Sequence, residues 1–175
     1  RRSELIGIID WRLAQLDRLG VEVRYNTYAE AGDVTDLSPD IVLIATGGLP
    51  REDGIAEGGE LAISSWDVIS GDASIGEDVL LYDDNGAHPG MAASEAIMAA
   101  GSKLEIVSPE RMFAPEIGGL NLVPYIEKLQ GHGAVVTTMT RVGKLRREGN
   151  KIAATLTSPY NEAVIGERLV DQVVV

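Results

Sequence analysis

The sequence predicts an α/β protein built around a Rossmann-like, nucleotide-binding-type domain with an antiparallel β-meander. Three observations support this fold class. Apolar runs of strand length alternate with segments of helical periodicity, residues 79–107 form a βαβ unit of the usual size, and three short strands follow one another between residues 141 and 169. This order is typical of a nucleotide-binding domain inserted into another domain.

The first 60 residues predict one helix and two strands. Apolar residues recur every three to five positions from residue 4 to residue 19, as on one face of a helix, and Gly20 supplies the C-terminal stop. Residues 21–25 alternate between apolar and polar side chains, which is typical of a strand. Residues 41–46 form an apolar run of the kind found in the central strands of parallel sheets.

The rest of the chain predicts the inserted unit. Ser64 or Ser65 is expected to cap a short helix that ends at Gly71. The βαβ unit is expected to consist of a strand over 79–82, a turn over 83–90, a helix over 91–100 and a strand over 103–107. Beyond it we expect a helix over 122–129, a strand over 135–138, meander strands over 141–148, 151–158 and 163–169, and a buried strand over 169–175.

The composition limits the partners that we expect. There are 27 Asp and Glu residues against 15 Lys and Arg residues, so the formal charge is −12. Nucleic acid and anionic membranes are expected to be repelled by such a surface. No apolar run approaches the ~20 residues that span a bilayer. Cysteine is absent, which excludes disulfides and thiolate metal sites and agrees with the cytoplasmic location that we expect.

The turn over residues 83–90 is the first candidate site, because ligands of βαβ folds bind where a strand ends and a helix begins. Gly86, His88 and Gly90 are the expected cofactor contacts here, and Glu110 lies 20 residues beyond Gly90, near the usual spacing of a ribose-binding acid. No G-x-G-x-x-G fingerprint occurs, and the adjacent carboxylates of 83–84 would repel a pyrophosphate. The turn could therefore be a degenerate nucleotide site, a working NAD(P) site or a site for another small ligand.

Residues Thr46, Gly47 and Gly48 form the second candidate cofactor site. Glycines after a buried strand let the backbone pass close to a cofactor, although they equally suit the simple exit from a strand.

Other kinds of site find little support in the sequence. His88 and His132 are 44 residues apart with no spaced carboxylate cluster, so we expect no metal site. A G-x-S-x-G nucleophile elbow is absent. Trp11 and Trp66 are interpreted as packing anchors, and no residue of this chain is expected to be catalytic.

Five segments carry a resemblance to a known family. In order they are LGVEVRYNT, PDIVLIATGGLPR, SSWDVISG, VLLYDDNGAHPGMAASEAI and VDQVVV. With them, nearly the whole chain resembles the C-terminal half of the 2,4-dienoyl-CoA reductase and trimethylamine dehydrogenase group, within the NADH:flavin oxidoreductase (old yellow enzyme-like) proteins. The combination of DDNGAHPG with PERMFAPEIGG brings the resemblance closest to amine and N-methyl amino acid demethylases.

The resemblance implies a longer protein, from which this chain would be excised. Such proteins have an N-terminal barrel that holds FMN and the substrate, an iron–sulfur cluster in many members, an FAD- or ADP-binding domain and an NAD(P)H-type domain. By resemblance, residues 1–60 would be a partial FAD-type domain without its glycine fingerprint, residues 61–168 the NAD(P)-type domain, and residues 169–175 a return strand to the FAD-type domain.

The resemblance also implies a function for the longer protein. NAD(P)H-using members have a glycine fingerprint where this chain has Asp83, Asp84 and Asn85, so the resemblance favours the dehydrogenase branch, whose electrons leave to an electron-transfer flavoprotein. We therefore expect an FMN/FAD-dependent oxidoreductase that oxidises a small amine or reduces an enoyl substrate, in which this region passes electrons or scaffolds the flavin domain. The alternatives are a non-binding module that docks an electron-transfer flavoprotein, and a working NAD(P)H-binding domain of a dienoyl-CoA reductase-like enzyme.

Overall fold

The computed structural model describes residues 3–50 and 54–175. The chain divides into two compact units, Arg1–Gly47 and Gly48–Val175, and each is described by itself. The helices are α1 (Ile6–Arg18), α2 (Ala31–Thr35), α3 (Ser65–Ser70), α4 (His88–Ala99) and α5 (Gly119–His132). The strands are β1 (Asp78–Tyr82), β2 (Lys103–Val107), β3 (Val135–Thr137), β4 (Arg141–Glu148), β5 (Lys151–Thr157), β6 (Val164–Val170) and β7 (Gln172–Val174).

The first unit contains α1 and α2. The chain leaves α1 through Gly20, whose φ of +68° is a conformation that favours glycine, so the predicted helix and its stop are confirmed. A capping box begins α2, in which the Asp33 carboxylate accepts a hydrogen bond from the Glu30 N–H at 2.9 Å. None of the described side chains of α1 is buried.

The two strands predicted in the first unit, 21–25 and 41–46, are wrong. Both segments are irregular, and the side chains of 41–46 are exposed. A strand needs a neighbouring strand to take up its backbone N–H and C=O groups. Among the described residues of this unit there is no such neighbour. The apolar pattern was present without the pairing that turns it into a sheet.

The second unit is built on a parallel four-stranded sheet in the order β3-β2-β1-β7, with a three-stranded antiparallel meander in the order β4-β5-β6. Alternate residues of β1 face opposite sides of the parallel sheet. Val79 and Leu81 pack with α3, α4 and α5 in one hydrophobic cluster, whereas Leu80 and Tyr82 pack with the meander in a second cluster. The Rossmann-like α/β fold with an antiparallel meander is therefore confirmed.

An ion pair joins the meander to the parallel sheet. The Arg168 guanidinium on β6 donates two hydrogen bonds to Glu105 on β2, at 2.6 Å to Oε2 and 3.0 Å to Oε1. The Thr137 hydroxyl on β3 donates a third bond to Oε1 of the same carboxylate at 2.7 Å. The pKa of Arg168 is raised, mainly by the hydrogen bonding to Glu105. The two parallel hydrogen bonds make this a bidentate pair, the stronger kind of charge-assisted contact.

Two boundaries differ from the prediction in ways that affect the site. The helix α4 begins at His88 and not at residue 91, because Pro89 suits the first turn of a helix, where its missing N–H has no partner to lose. The helix α5 is likewise longer than the predicted 122–129. No described helix is long and apolar enough to cross a membrane.

The C-terminal segment 169–175 was predicted to be one continuous strand. Instead, the chain changes sheets at Asp171, so that Leu169 and Val170 end β6 while Gln172–Val174 pair with β1 in the parallel sheet. The change is held by Asp171, whose N–H donates to the Asp78 carbonyl at 2.9 Å and whose carboxylate accepts from the Asp78 N–H at 3.0 Å. The pairing places β7 inside the second unit.

Candidate functional site

The turn between β1 and α4 lies at the carboxyl edge of the parallel sheet, where ligands of such folds bind. Gly86 is buried in this turn with φ +66°, and its carbonyl accepts a hydrogen bond from the Glu116 N–H at 3.1 Å. A Cβ at residue 86 would lie 2.5 Å from Pro115 Cδ, so both the backbone conformation and the space require glycine. The loop after β2 thus packs directly onto the turn.

Asp83 is the first residue after β1, and its side chain folds back into the turn. The residue is only 5% exposed. Its Oδ1 accepts hydrogen bonds from the N–H of Gly86 at 2.9 Å and from the N–H of Asn85 at 3.3 Å. Such backbone N–H groups, at the loop before a helix, are the donors that hold a phosphate in nucleotide-binding folds. Here a carboxylate of the chain itself already uses them.

The same carboxylate also covers the first turn of α4. A Cβ built on Gly90 would lie 2.7 Å from Asp83 Cγ and 2.9 Å from each of its two oxygens, so Asp83 packs against the bare Cα of Gly90. A helix N-terminus stabilises a nearby negative charge, and this one is next to Asp83. A glycine at such a position lets the pyrophosphate of a dinucleotide come close to the backbone. Here the Asp83 side chain takes that space.

The electrostatics of the turn follow from this burial. Burial raises the pKa of Asp83, the hydrogen bonds from Gly86 and Asn85 oppose the rise, and the charge of Asp84 adds to it. Asp84 itself is exposed. A dinucleotide would therefore bring its phosphates to a site that already contains one buried and one exposed carboxyl group.

His88 and Glu110 are placed at the same end of the sheet. His88 is the exposed first residue of α4, and its Nδ1 lies 3.4 Å from the hydroxyl of Tyr125, which is buried on α5. Glu110 is exposed in the loop after β2, where its N–H donates to Ser108 Oγ at 3.3 Å and its carbonyl accepts from the Met139 N–H at 2.9 Å. No hydrogen bond or ion pair joins the Glu110 side chain to the turn in the part of the chain that the structure describes.

The second candidate site consists of Thr46, Gly47 and Gly48, and all three residues are exposed. Gly47 has φ +70°, which explains the glycine at that position, and a Cβ on either glycine would meet no atom within 4 Å. A role of these residues in cofactor binding stays a prediction.

The structure shows a groove between α3 and the first turn of α4 that was not predicted. Its volume is about 560 Å³. It is lined by Trp66, Asp67, Ile69, Ser70, Asp72, His88, Pro89 and Ala92. Trp66 is 48% exposed, and Trp11 in the first unit is 63% exposed, so the interpretation of both as packing anchors is wrong. In sequence the two walls are about 20 residues apart, and only the fold brings them together. Among residues 3–50 and 54–175, no group of three potential ligands could hold a metal ion.

Comparison with curated proteins gives relatives over the whole chain. The chain is 45% identical over 175 residues to a probable N-methylproline demethylase of Rhizobium meliloti, of which it covers 26%. It is 33% identical over its full length to the N,N-dimethylglycine/sarcosine dehydrogenase of Chromohalobacter salexigens, again covering 26%. A multifunctional alkene reductase/demethylase of Caballeronia cordobensis is 42% identical over 118 residues. No family model matches.

The chain is similar to one region of flavin-dependent oxidoreductases. It spans about a quarter of the length of the curated relatives that it matches. The names of these relatives, which include demethylases and a dehydrogenase, agree with the resemblance to flavin oxidoreductases.

Solved structures with the same fold support the α/β architecture. The 6-hydroxypseudooxynicotine amine oxidase of Pseudomonas geniculata has a TM-score of 0.79 and 21% identity, with 95% of this chain and 26% of that one covered. A pyridine nucleotide-disulfide family oxidoreductase of Enterococcus faecalis has a TM-score of 0.53 and 13% identity, with 74% of this chain and 29% of that one covered. At these identities the likeness shows the fold alone.

Proposed function

We propose that this chain is the nucleotide-binding-like C-terminal region of a longer flavin-dependent oxidoreductase that demethylates or dehydrogenates a small N-methylated amine. The full-length identity of 45% to a probable N-methylproline demethylase and of 33% to an N,N-dimethylglycine/sarcosine dehydrogenase supports this assignment. In the proposal, FMN and the substrate belong to a barrel elsewhere in the protein. FAD or ADP binds a domain to which residues 1–60 contribute, with Thr46, Gly47 and Gly48 as its contacts in this chain.

Within that protein, we propose that the second unit is a scaffold and does not bind NAD(P)H. The observation that carries this proposal is the placement of the Asp83 carboxylate. It accepts hydrogen bonds from the N–H groups of Asn85 and Gly86 and packs on Gly90. A pyrophosphate would have to displace a buried carboxylate from two hydrogen bonds and then lie beside it. The residues present therefore do not fit a pyridine nucleotide, and the reading of this unit as a working NAD(P)H-binding domain is disfavoured.

The residues of the turn have a structural role in this proposal. Asp83 joins β1 to α4, and the Gly86 carbonyl and the Pro115 ring join the turn to the loop after β2. These contacts fix the strand ends and the helix N-terminus relative to one another. Docking of an electron-transfer flavoprotein remains the alternative role, and the acidic charge is the feature that would serve it.

Isothermal titration calorimetry separates these roles. The chain is titrated with NADH, NADPH, ADP and FAD, each at up to about 1 mM. We expect no saturable heat with NADH or NADPH, since the N–H groups of Asn85 and Gly86 that would hold a phosphate already donate to Asp83. Saturable NADPH binding at micromolar concentration would refute the scaffold role.

The activity of the longer protein is tested separately. The gene that encodes this chain is expressed at full length, and the flavin absorbance is followed during anaerobic addition of N-methylproline or N,N-dimethylglycine. We expect flavin bleaching with an N-methylated amine and none with NADPH. Bleaching by NADPH but not by the amines would contradict the proposed substrate class.

A further inference from the structure

We propose that the groove between α3 and the first turn of α4 binds a small organic cation with an apolar body, such as a substituted ammonium ion. Its volume of about 560 Å³ lies within the range of small-molecule sites. The ligand class is inferred from the lining residues alone, all of which belong to this chain. It does not depend on the proposed function.

The walls of the groove are mostly apolar and include one exposed aromatic ring. Ile69 from α3 and Pro89 and Ala92 from α4 supply aliphatic surface. Trp66 is 48% exposed there, although tryptophan is usually well buried. The face of an indole ring attracts a cation more strongly than any other side-chain ring. The apolar walls would bury the body of a ligand while Trp66 contacts its charged group.

The charged residues that line the groove have one sign among those that the structure describes. Asp67 and Asp72 line it, and none of the described Lys and Arg residues does. The Asp72 carboxylate is held by a hydrogen bond from the Ser70 hydroxyl at 2.6 Å. Neither carboxylate forms an ion pair with any residue that the structure describes. His88, the remaining titratable residue of the lining, is at hydrogen-bonding distance from Tyr125.

These features select against the usual ligands of a nucleotide-binding fold. Two carboxylates beside an apolar wall would repel a phosphate and leave a neutral apolar ligand with only the hydrophobic contribution. A cation with methyl or aryl substituents satisfies both the carboxylates and the walls. Recognition of quaternary ammonium groups by an aromatic ring with nearby carboxylates follows the same chemistry.

Tryptophan fluorescence tests the proposal, because the chain contains only Trp11 and Trp66. In the Trp11→Phe variant, Trp66 is the single reporter and lies in the groove. The probe is benzyltrimethylammonium, and benzyl alcohol serves as the neutral probe of similar shape. We expect saturable quenching by the cation at millimolar or lower concentration, with benzyl alcohol at least about fivefold weaker.

Two charge variants identify the binding residues. The Asp67→Asn/Asp72→Asn variant should weaken benzyltrimethylammonium binding about tenfold. The matched control, Glu127→Gln/Glu162→Gln, removes the same charge from exposed positions outside the groove and should change it less than about twofold. If the double variant does not fold by circular dichroism, Asp72→Asn alone, whose amide can still accept the Ser70 hydrogen bond, replaces it.

Quenching that rises linearly without saturation would overturn the proposal. Equal affinity for the cation and for benzyl alcohol would also overturn it, because the carboxylates would then play no part. An effect of the control variant as large as that of Asp67→Asn/Asp72→Asn would reduce the binding to the overall charge of the protein, which is likewise against a built site.

Discussion

Replacing Gly90 by alanine tests the contact between α4 and Asp83. The new Cβ would lie 2.7 Å from Asp83 Cγ and 2.9 Å from both carboxylate oxygens, which is closer than atoms pack in proteins. Either the carboxylate or the helix must therefore move. Movement of the carboxylate would lengthen its 2.9 Å hydrogen bond to the Gly86 N–H.

The expected magnitude follows from three contributions. Forcing a methyl group into a packed site costs about 1–3 kcal/mol. Weakening a hydrogen bond to a buried carboxylate costs about 1.5–3 kcal/mol if it is lost completely. Alanine is better than glycine within a helix by about 1 kcal/mol, which offsets part of the cost. We therefore expect Gly90→Ala to lower the free energy of unfolding by about 2 kcal/mol.

Urea unfolding measures this change, with Trp66 as the reporter of the second unit in a Trp11→Phe background. The matched control is Gly131→Ala in α5, where a Cβ would meet no atom within 4 Å, and which should raise the free energy of unfolding by about 0.5–1 kcal/mol. The decisive comparison is Gly90→Ala in an Asp83→Gly background. With the carboxylate absent, the alanine should stabilise the protein.

A Gly90→Ala variant as stable as the wild type would refute this reasoning. So would an equal destabilisation with and without Asp83, because the cost would then arise elsewhere in α4. The double-mutant cycle isolates the coupling between residues 83 and 90, since the clash requires both the alanine Cβ and the Asp83 carboxylate.

Three further predictions concern other contacts. Burial raises the pKa of Asp83 in the folded state, so the stability of the wild type relative to Asp83→Asn should grow as pH falls through that raised pKa and be lost as pH rises. Urea unfolding of both proteins at pH 7 and pH 4.5 measures this difference in stability, and the same difference at both pH values would contradict the effect of burial. Arg168→Ala leaves the Glu105 carboxylate, whose side chain is only 16% exposed, without its cation. The free energy of unfolding should fall by about 1 kcal/mol after allowance for the partly exposed arginine, with little dependence on salt. A loss of stability that 1 M NaCl abolishes would indicate a surface pair. Ser64→Ala removes the side-chain oxygen that accepts a hydrogen bond from the Trp66 N–H at the start of α3, and it should lower the free energy of unfolding by about 1 kcal/mol. Ser64→Asp can still cap the helix and should lower it less. An equal loss of stability in both variants would exclude capping as the cause.

Local sequence signals were sufficient for the core of the second unit. The apolar runs at 79–82 and 103–107 became β1 and β2 with nearly the predicted bounds. Ser64 and Gly71 bound α3 as expected, because capping depends only on neighbouring residues. The meander was likewise predicted from its turns.

The errors concern pairing, which is not a local property. Among the described residues of its unit, the apolar run 41–46 has no strand to pair with. The segment 169–175 contributes to two sheets because Asp171 forms hydrogen bonds with Asp78 at the crossing. For the candidate site, the sequence indicated that the carboxylates of the turn would repel a dinucleotide. It did not predict that the Asp83 side chain folds back into the turn. The spacing Asp83–Gly86, an aspartate that can bond backbone N–H groups two and three residues on, is the signal that could have indicated it.

Asp83 accepts hydrogen bonds from the backbone N–H groups that would otherwise hold a dinucleotide phosphate. The most direct test is a titration of the ¹⁵N-labelled chain with NADPH, in which the amide resonances of Asn85 and Gly86 are followed by NMR. We predict that both resonances stay in place up to about 1 mM NADPH, because their N–H groups remain bonded to the carboxylate. A saturable, concerted movement of the two resonances would contradict the claim.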